Sequence, residues 1–126
     1  MKRFVLPILL AALPVAAADA GEEALIGPAL HSAVSGKTVY ISTPMGEVPI
    51  RYAANGQVSG RTELALLDGE TTTKDSGRWW VADSKLCIRW NRWMSGETHC
   101  FTMKRVSPTE VHWRRDDGKS GRARLG

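Results

Sequence analysis

Catalytic signatures, metal-ligand clusters and long apolar runs are all scarce in this 126-residue chain. Beyond residue 20 no segment reaches the roughly 20 consecutive apolar residues that a membrane-spanning helix needs, which excludes a multi-helix membrane protein. Cysteine is limited to Cys87 and Cys100, and their spacing is not that of a CxxC redox pair or a four-cysteine zinc site. Histidine is limited to His31, His99 and His112. No His-Glu-x-x-His helix, Gly-x-Ser-x-Gly elbow or glycine-rich phosphate loop occurs. Nucleophilic catalysis needs a hydroxyl or thiol beside a base and an orienting group, and the sequence presents no such set. It therefore names no catalytic residue, metal ligand or cofactor, and the balance of expectation is against an enzyme.

What the chain does have begins at its start. Met1-Lys2-Arg3 is basic, Phe4 to Ala12 is apolar, and Leu13-Pro14-Val15-Ala16-Ala17-Ala18-Asp19-Ala20 ends in small residues. That is the pattern of a secretory signal peptide over residues 1–20. Cleavage after Ala20 is preferred to cleavage after Ala18, because Gly21-Glu22-Glu23 opens a polar segment. The expected product is one periplasmic domain, residues 21–126. Loss of Lys2, Arg3 and Asp19 changes the formal charge from +4 to +3. Such a mild excess favours anionic surfaces weakly and gives no reason to expect specific nucleic-acid binding.

In an oxidising compartment the even cysteine count predicts a Cys87–Cys100 disulfide. The alternative is a zinc site that also uses His99, but consecutive strand residues point to opposite faces. The bridge would close a loop of 14 residues, worth about 3 kcal/mol in the chain-entropy model.

Patterning predicts a mainly β fold of the α+β type. Leu25, Ile26, Leu30, Ala33 and Val34, within Gly21–Ser35, are spaced to share one side of a short helix whose helical part is Pro28–Ser35, with proline in the first turn and Gly36 after the end. From Lys37 onward the period changes to two. Thr38–Ser42 and Glu47–Tyr52 alternate around Pro44-Met45-Gly46, and Asn55-Gly56 is a strong hairpin turn. Gln57–Leu67 supplies another strand, with turns at Leu67-Asp68-Gly69-Glu70 and Asp75-Ser76-Gly77 before the strand Arg78–Val81. Pro49 inside a strand pattern indicates an edge or a bulge. An antiparallel meander or partial barrel packed on the helix follows.

Five tryptophans, at 79, 80, 90, 93 and 113, serve mainly as core, but adjacent Trp79 and Trp80 cannot point the same way in a regular strand. One of them, and Trp93 in the loop Asn91–Glu97, are candidates for exposure beside Arg89 and Arg92. In the last hairpin Val111, Trp113, Ala123 and Leu125 face inward. A turn around Asp117-Gly118 would set Arg114 opposite Arg122 and His112 opposite Arg124. These side chains, with Arg115, form the best candidate for an anion-attracting patch. The candidate binding residues are thus Arg92, Trp93, His112, Arg114, Arg122 and Arg124. Asp83 and Glu97 are a further pair of carboxylates that could approach each other near the disulfide hairpin.

The order of features, from Ser35-Gly36-Lys37-Thr38 through Asn55-Gly56 and Gly77-Arg78-Trp79-Trp80 to Leu86-Cys87-Ile88-Arg89-Trp90 and His99-Cys100-Phe101, resembles small periplasmic proteins of unknown function common in alphaproteobacteria. The resemblance implies an exported, disulfide-bridged, sheet-rich domain and supplies no catalytic residues. The expected role is a non-catalytic binding module of the envelope for an unidentified envelope protein or anionic envelope component. The alternative is a small periplasmic enzyme or ligand carrier with a pocket in the sheet.

Overall fold

Period-two alternation from Lys37 onward becomes a continuous antiparallel sheet that closes on itself. The computed structural model describes residues 22–62 and 74–126. The leader and the turn expected at Leu67–Glu70 lie outside the described residues. The elements in chain order are β1 (Glu23–Leu25), α1 (Gly27–Val34), β2 (Lys37–Thr43), β3 (Gly46–Tyr52), β4 (Gln57–Arg61), β5 (Lys74–Ala82), β6 (Lys85–Trp90), β7 (Thr98–Ser107), β8 (Glu110–Arg115) and β9 (Ser120–Leu125). Each of β2 to β8 pairs antiparallel with its successor, and β9 returns to β2 through Val39↔Leu125 and Ile41↔Ala123. Closure leaves no unpaired edge running the length of the sheet. Short β1 pairs with Met103–Arg105 of β7, on the side where β6 has stopped at Phe101.

The helix lies across one end of the barrel. It touches β2 on one side and β5 and β6 on the other, which are not neighbours in the sheet. Leu30, Ala33 and Val34 are buried against that end, as their spacing requires, whereas Leu25 belongs to β1 and Ile26, just before the helix, is exposed. Val39, Ile50, Trp79, Leu86, Trp90, Met103, Val111 and Ala123 fill the interior. Full burial of an aliphatic side chain contributes about 1.5–3 kcal/mol, so this layer dominates the favourable side of folding. Trp79 is buried while Trp80 is 39 % exposed, which resolves the adjacent pair as strand geometry demands.

Cys87 and Cys100 sit directly opposite each other on β6 and β7 and form the expected disulfide, with Cα atoms 4.0 Å apart. Both sulfurs are consumed, so thiolate coordination of zinc is overturned.

Three local expectations are corrected. Asp75-Ser76-Gly77 is not a turn but the middle of a strand, β5. Gly77 is there because a Cβ would fall on the Arg89 carbonyl oxygen of β6, a close approach and not a bend. The second correction concerns the final hairpin, which is shifted by two residues: His112 lies opposite Arg122, Arg114 opposite Ser120, and Glu110 opposite Arg124. The turn is centred on Asp117 and closed by Gly118 at φ +96°, while the Asp117 carboxylate accepts from the Lys119 N–H. A shift of two preserves the faces, so Val111 and Ala123 remain inside. Thirdly, β3 lies between β2 and β4, yet its pairing with β4 stops at Ile50↔Gly60, one residue short of Pro49. Proline therefore sits at a local edge within a closed sheet.

Candidate functional site

Outward-facing residues of β7, β8 and β9 form a cationic surface. Lys104 is opposite His112, and His112 is opposite Arg122, so three basic side chains stand in one row across three strands. Beside it runs a second row, Thr102–Arg114–Ser120. Between the rows lies a shallow concavity of about 460 Å³, which Glu22 and Trp113 also border. Arg122 leans on Glu110 at 3.4 Å. Among the described residues neither Lys104 nor Arg114 has an ion pair.

Arg124, expected in this patch, is withdrawn from it. Its guanidinium donates to both oxygens of Glu47 at 3.0 and 3.1 Å and lies over the Tyr40 ring. The bidentate contact holds the Glu47 carboxyl below its usual range and raises Arg124 above its own. Arg115 faces inward instead of joining the patch, because it has the parity of Val111 and Trp113. It is 7 % exposed and forms a forked pair with Asp117 at 2.6 and 3.0 Å. This guanidinium holds the Asp117 carboxyl far below the ordinary carboxylate range.

The loop between β6 and β7 also departs from expectation. Trp93 is fully buried, which removes it as a surface contact. The Asp75 carboxylate accepts from the backbone N–H groups of Arg92 and Trp93 at 2.7 and 2.8 Å and turns the chain inward. The indole then packs on Trp90 in space left by Gly60, where a Cβ would lie 2.8 Å from the Trp93 ring. Arg92 remains exposed, with Nη2 donating to the Lys74 carbonyl. It borders a second groove, of about 580 Å³, shared with Arg51, Arg61 and Lys74. That groove centres on β3 and β4, and β4 stands four strands from β8 around the ring, so Arg92 and Arg114 occupy opposite sides of the barrel. Asp75 lies in this groove, and Arg51 is committed to the Gly36 carbonyl. The β7–β9 surface differs in that its basic side chains stand in register across adjacent strands.

Sequence reading missed a contact between His99 and Asp116, 2.8 Å from Nδ1 to Oδ1. The second oxygen of Asp116 accepts the Cys100 N–H, and Asp116 in turn donates its backbone N–H to the Cys100 carbonyl. The hydrogen bond to His99 is the main cause of a lowered Asp116 carboxyl. Since the neighbouring sulfur belongs to the disulfide, this pair serves as a clamp between β7 and the β8–β9 turn. Asp83 and Glu97, considered as converging carboxylates, stand beyond opposite ends of β6. No group of three or more potential metal ligands occurs among the described residues.

Inside the barrel, between Ile50, Ile88, Phe101, Met103 and Trp113, lies a cavity of about 80 Å³. Its lining is almost wholly hydrocarbon, with Arg115 at one end and Met94 over it. An empty cavity of this size costs about 2 kcal/mol at roughly 24 cal/mol per Å³, a large share of a small domain's stability. No helix among the described residues is long and apolar enough to cross a membrane. No protein-family model matches the chain, and no match is found among curated proteins or solved structures.

Proposed function

We propose that this chain is a non-catalytic binding module of the bacterial envelope, exported to the periplasm, which holds an anionic partner on the β7–β8–β9 face. One observation carries the proposal: Lys104, His112 and Arg122 stand in one row across three adjacent strands with Arg114 beside them, which gathers three permanent cations on one outer face. Folding alone gives no reason to place these side chains in register. An anion in the concavity would be attracted by Lys104, Arg114 and Arg122, and Thr102 and Ser120 add hydroxyl donors there. Two things support the compartment: the disulfide, a bond that persists in oxidising surroundings, and the leader pattern of residues 1–20.

The test uses exported protein on a heparin column as a generic polyanion. Wild type should be retained at low salt and released as screening increases. Arg114→Ala with Arg122→Ala should elute at distinctly lower salt, whereas Arg51→Ala with Arg92→Ala should elute close to wild type. Equal elution of the wild type and the Arg114/Arg122 variant overturns the assignment. In-cell crosslinking followed by affinity capture, compared between the same two proteins, then identifies the natural partner.

A further inference from the structure

The barrel cavity combines three features that ordinary packing does not require together. It is a void of about 80 Å³, several times the roughly 10–15 Å³ that one water needs, in surroundings too apolar to hold water well. Trp113, which lines it, has a buried indole N–H with no hydrogen-bond partner among the described residues. Above it the chain takes three successive left-handed conformations, at Met94 (φ +55°), Ser95 (φ +58°) and Gly96 (φ +69°). Two of those residues carry side chains, for which this conformation is costly.

The loop is fixed at both ends, and Met94 between them lines the cavity. Asp75 holds the N–H groups of Arg92 and Trp93, and the Arg89 Nε donates to the Gly96 carbonyl. Met94, between those anchors, is partly exposed and rests its sulfur 3.4 Å from Arg115 Nη1. Methionine is unbranched and moves at low cost. It is the lining side chain best placed to swing aside.

We infer that the barrel interior is a binding site for a small neutral apolar molecule with a single hydrogen-bond acceptor, admitted past Met94 and recognised by the Trp113 N–H. Neutrality follows from Arg115, whose guanidinium is already matched by Asp117, so a second anion would meet no uncompensated charge. Size follows from volume. A cavity of about 150 Å³ takes benzene, so this one accepts a few heavy atoms as it stands and a five-membered ring once Met94 moves. Trp113 borders both this cavity and the outer concavity, but the inference rests on the interior and not on the cationic side chains.

Cyclopentanone and cyclopentane are the probes, titrated into disulfide-intact protein and followed by NMR at the isoleucine and methionine methyl groups and at the tryptophan Nε1–H resonances. Both compounds should shift Ile88 and Met103, and the ketone alone should move the Trp113 Nε1–H downfield. A hydrogen bond made in a dry site should favour the ketone by roughly three- to tenfold. Trp113→Phe should abolish that preference while leaving cyclopentane binding within about twofold. The Trp113 resonance in the wild type gives the same information without a variant. Absence of shifts at Ile88 and Met103 at millimolar probe, or shifts with no ketone preference and a static Trp113 N–H, overturns the inference.

Discussion

A single methyl group separates a folded barrel from a broken one at Gly77. Its Cβ would coincide with the Arg89 carbonyl oxygen and crowd the Trp90 backbone, atoms that no rotamer change can move. Gly77→Ala should therefore destabilise by about 3 kcal/mol or abolish folding, as chemical denaturation would show. Gly118 makes a useful contrast, since nothing lies near its Cβ and only its φ of +96° resists substitution. Replacing it with alanine should cost about 1 kcal/mol. The paired aspartates of the β8–β9 turn make a different prediction at this scale. Asp116 and Asp117 both titrate below their ordinary range in the folded protein, through His99 and Arg115 respectively. Their contribution is complete above the unfolded carboxylate range, and it is lost as pH falls below about 4, where the unfolded chain binds protons first. Unfolding measured across acidic pH should show this loss, and Asp117→Asn should flatten it.

Among the elements, the β6–β7 hairpin organises the far end of the barrel, and it is stapled at Cys87–Cys100. Replacing both cysteines with serine should lower stability by about 3 kcal/mol through loss of loop closure, measured by denaturant unfolding with and without the bridge. This hairpin also marks how far the sequence could be read. Strand faces, the helix, the disulfide and the inward tryptophans were legible, because period two and period 3.6 report directly which side chains are buried. The turn at Asp117-Gly118 was legible too, but the register it sets was not, since a hairpin displaced by two residues satisfies the same hydrophobic pattern. The burial of Trp93 was equally hidden. It depends on Asp75, a residue 18 positions earlier, accepting two backbone N–H groups from the loop. A polar loop sequence says nothing about such a remote acceptor. The inward Arg115 was in principle readable, for it shares parity with Val111 and Trp113, but its charge argued the other way until Asp117 was placed beside it.

For the whole molecule, closure of the sheet gives the barrel an interior and a cationic outer wall that can be altered separately. The helix end is sealed by Leu30 and Val34, so access to the interior is left to the end where Met94 lies. On the outer wall, the proposed function requires that stability and binding respond to charge in opposite directions. Arg114 and Arg122 are exposed, and their removal opens no cavity. Arg122→Ala loses a solvent-exposed contact to Glu110, worth no more than about 1 kcal/mol, but it also thins the cationic cluster that includes Lys104 and Arg114. The double alanine variant should thus unfold within about 0.5 kcal/mol of wild type at neutral pH and physiological salt, while its retention on a polyanion falls. A matched loss of stability and binding would mean that these arginines hold the barrel together. A loss of binding alone would mean that their alignment serves a partner.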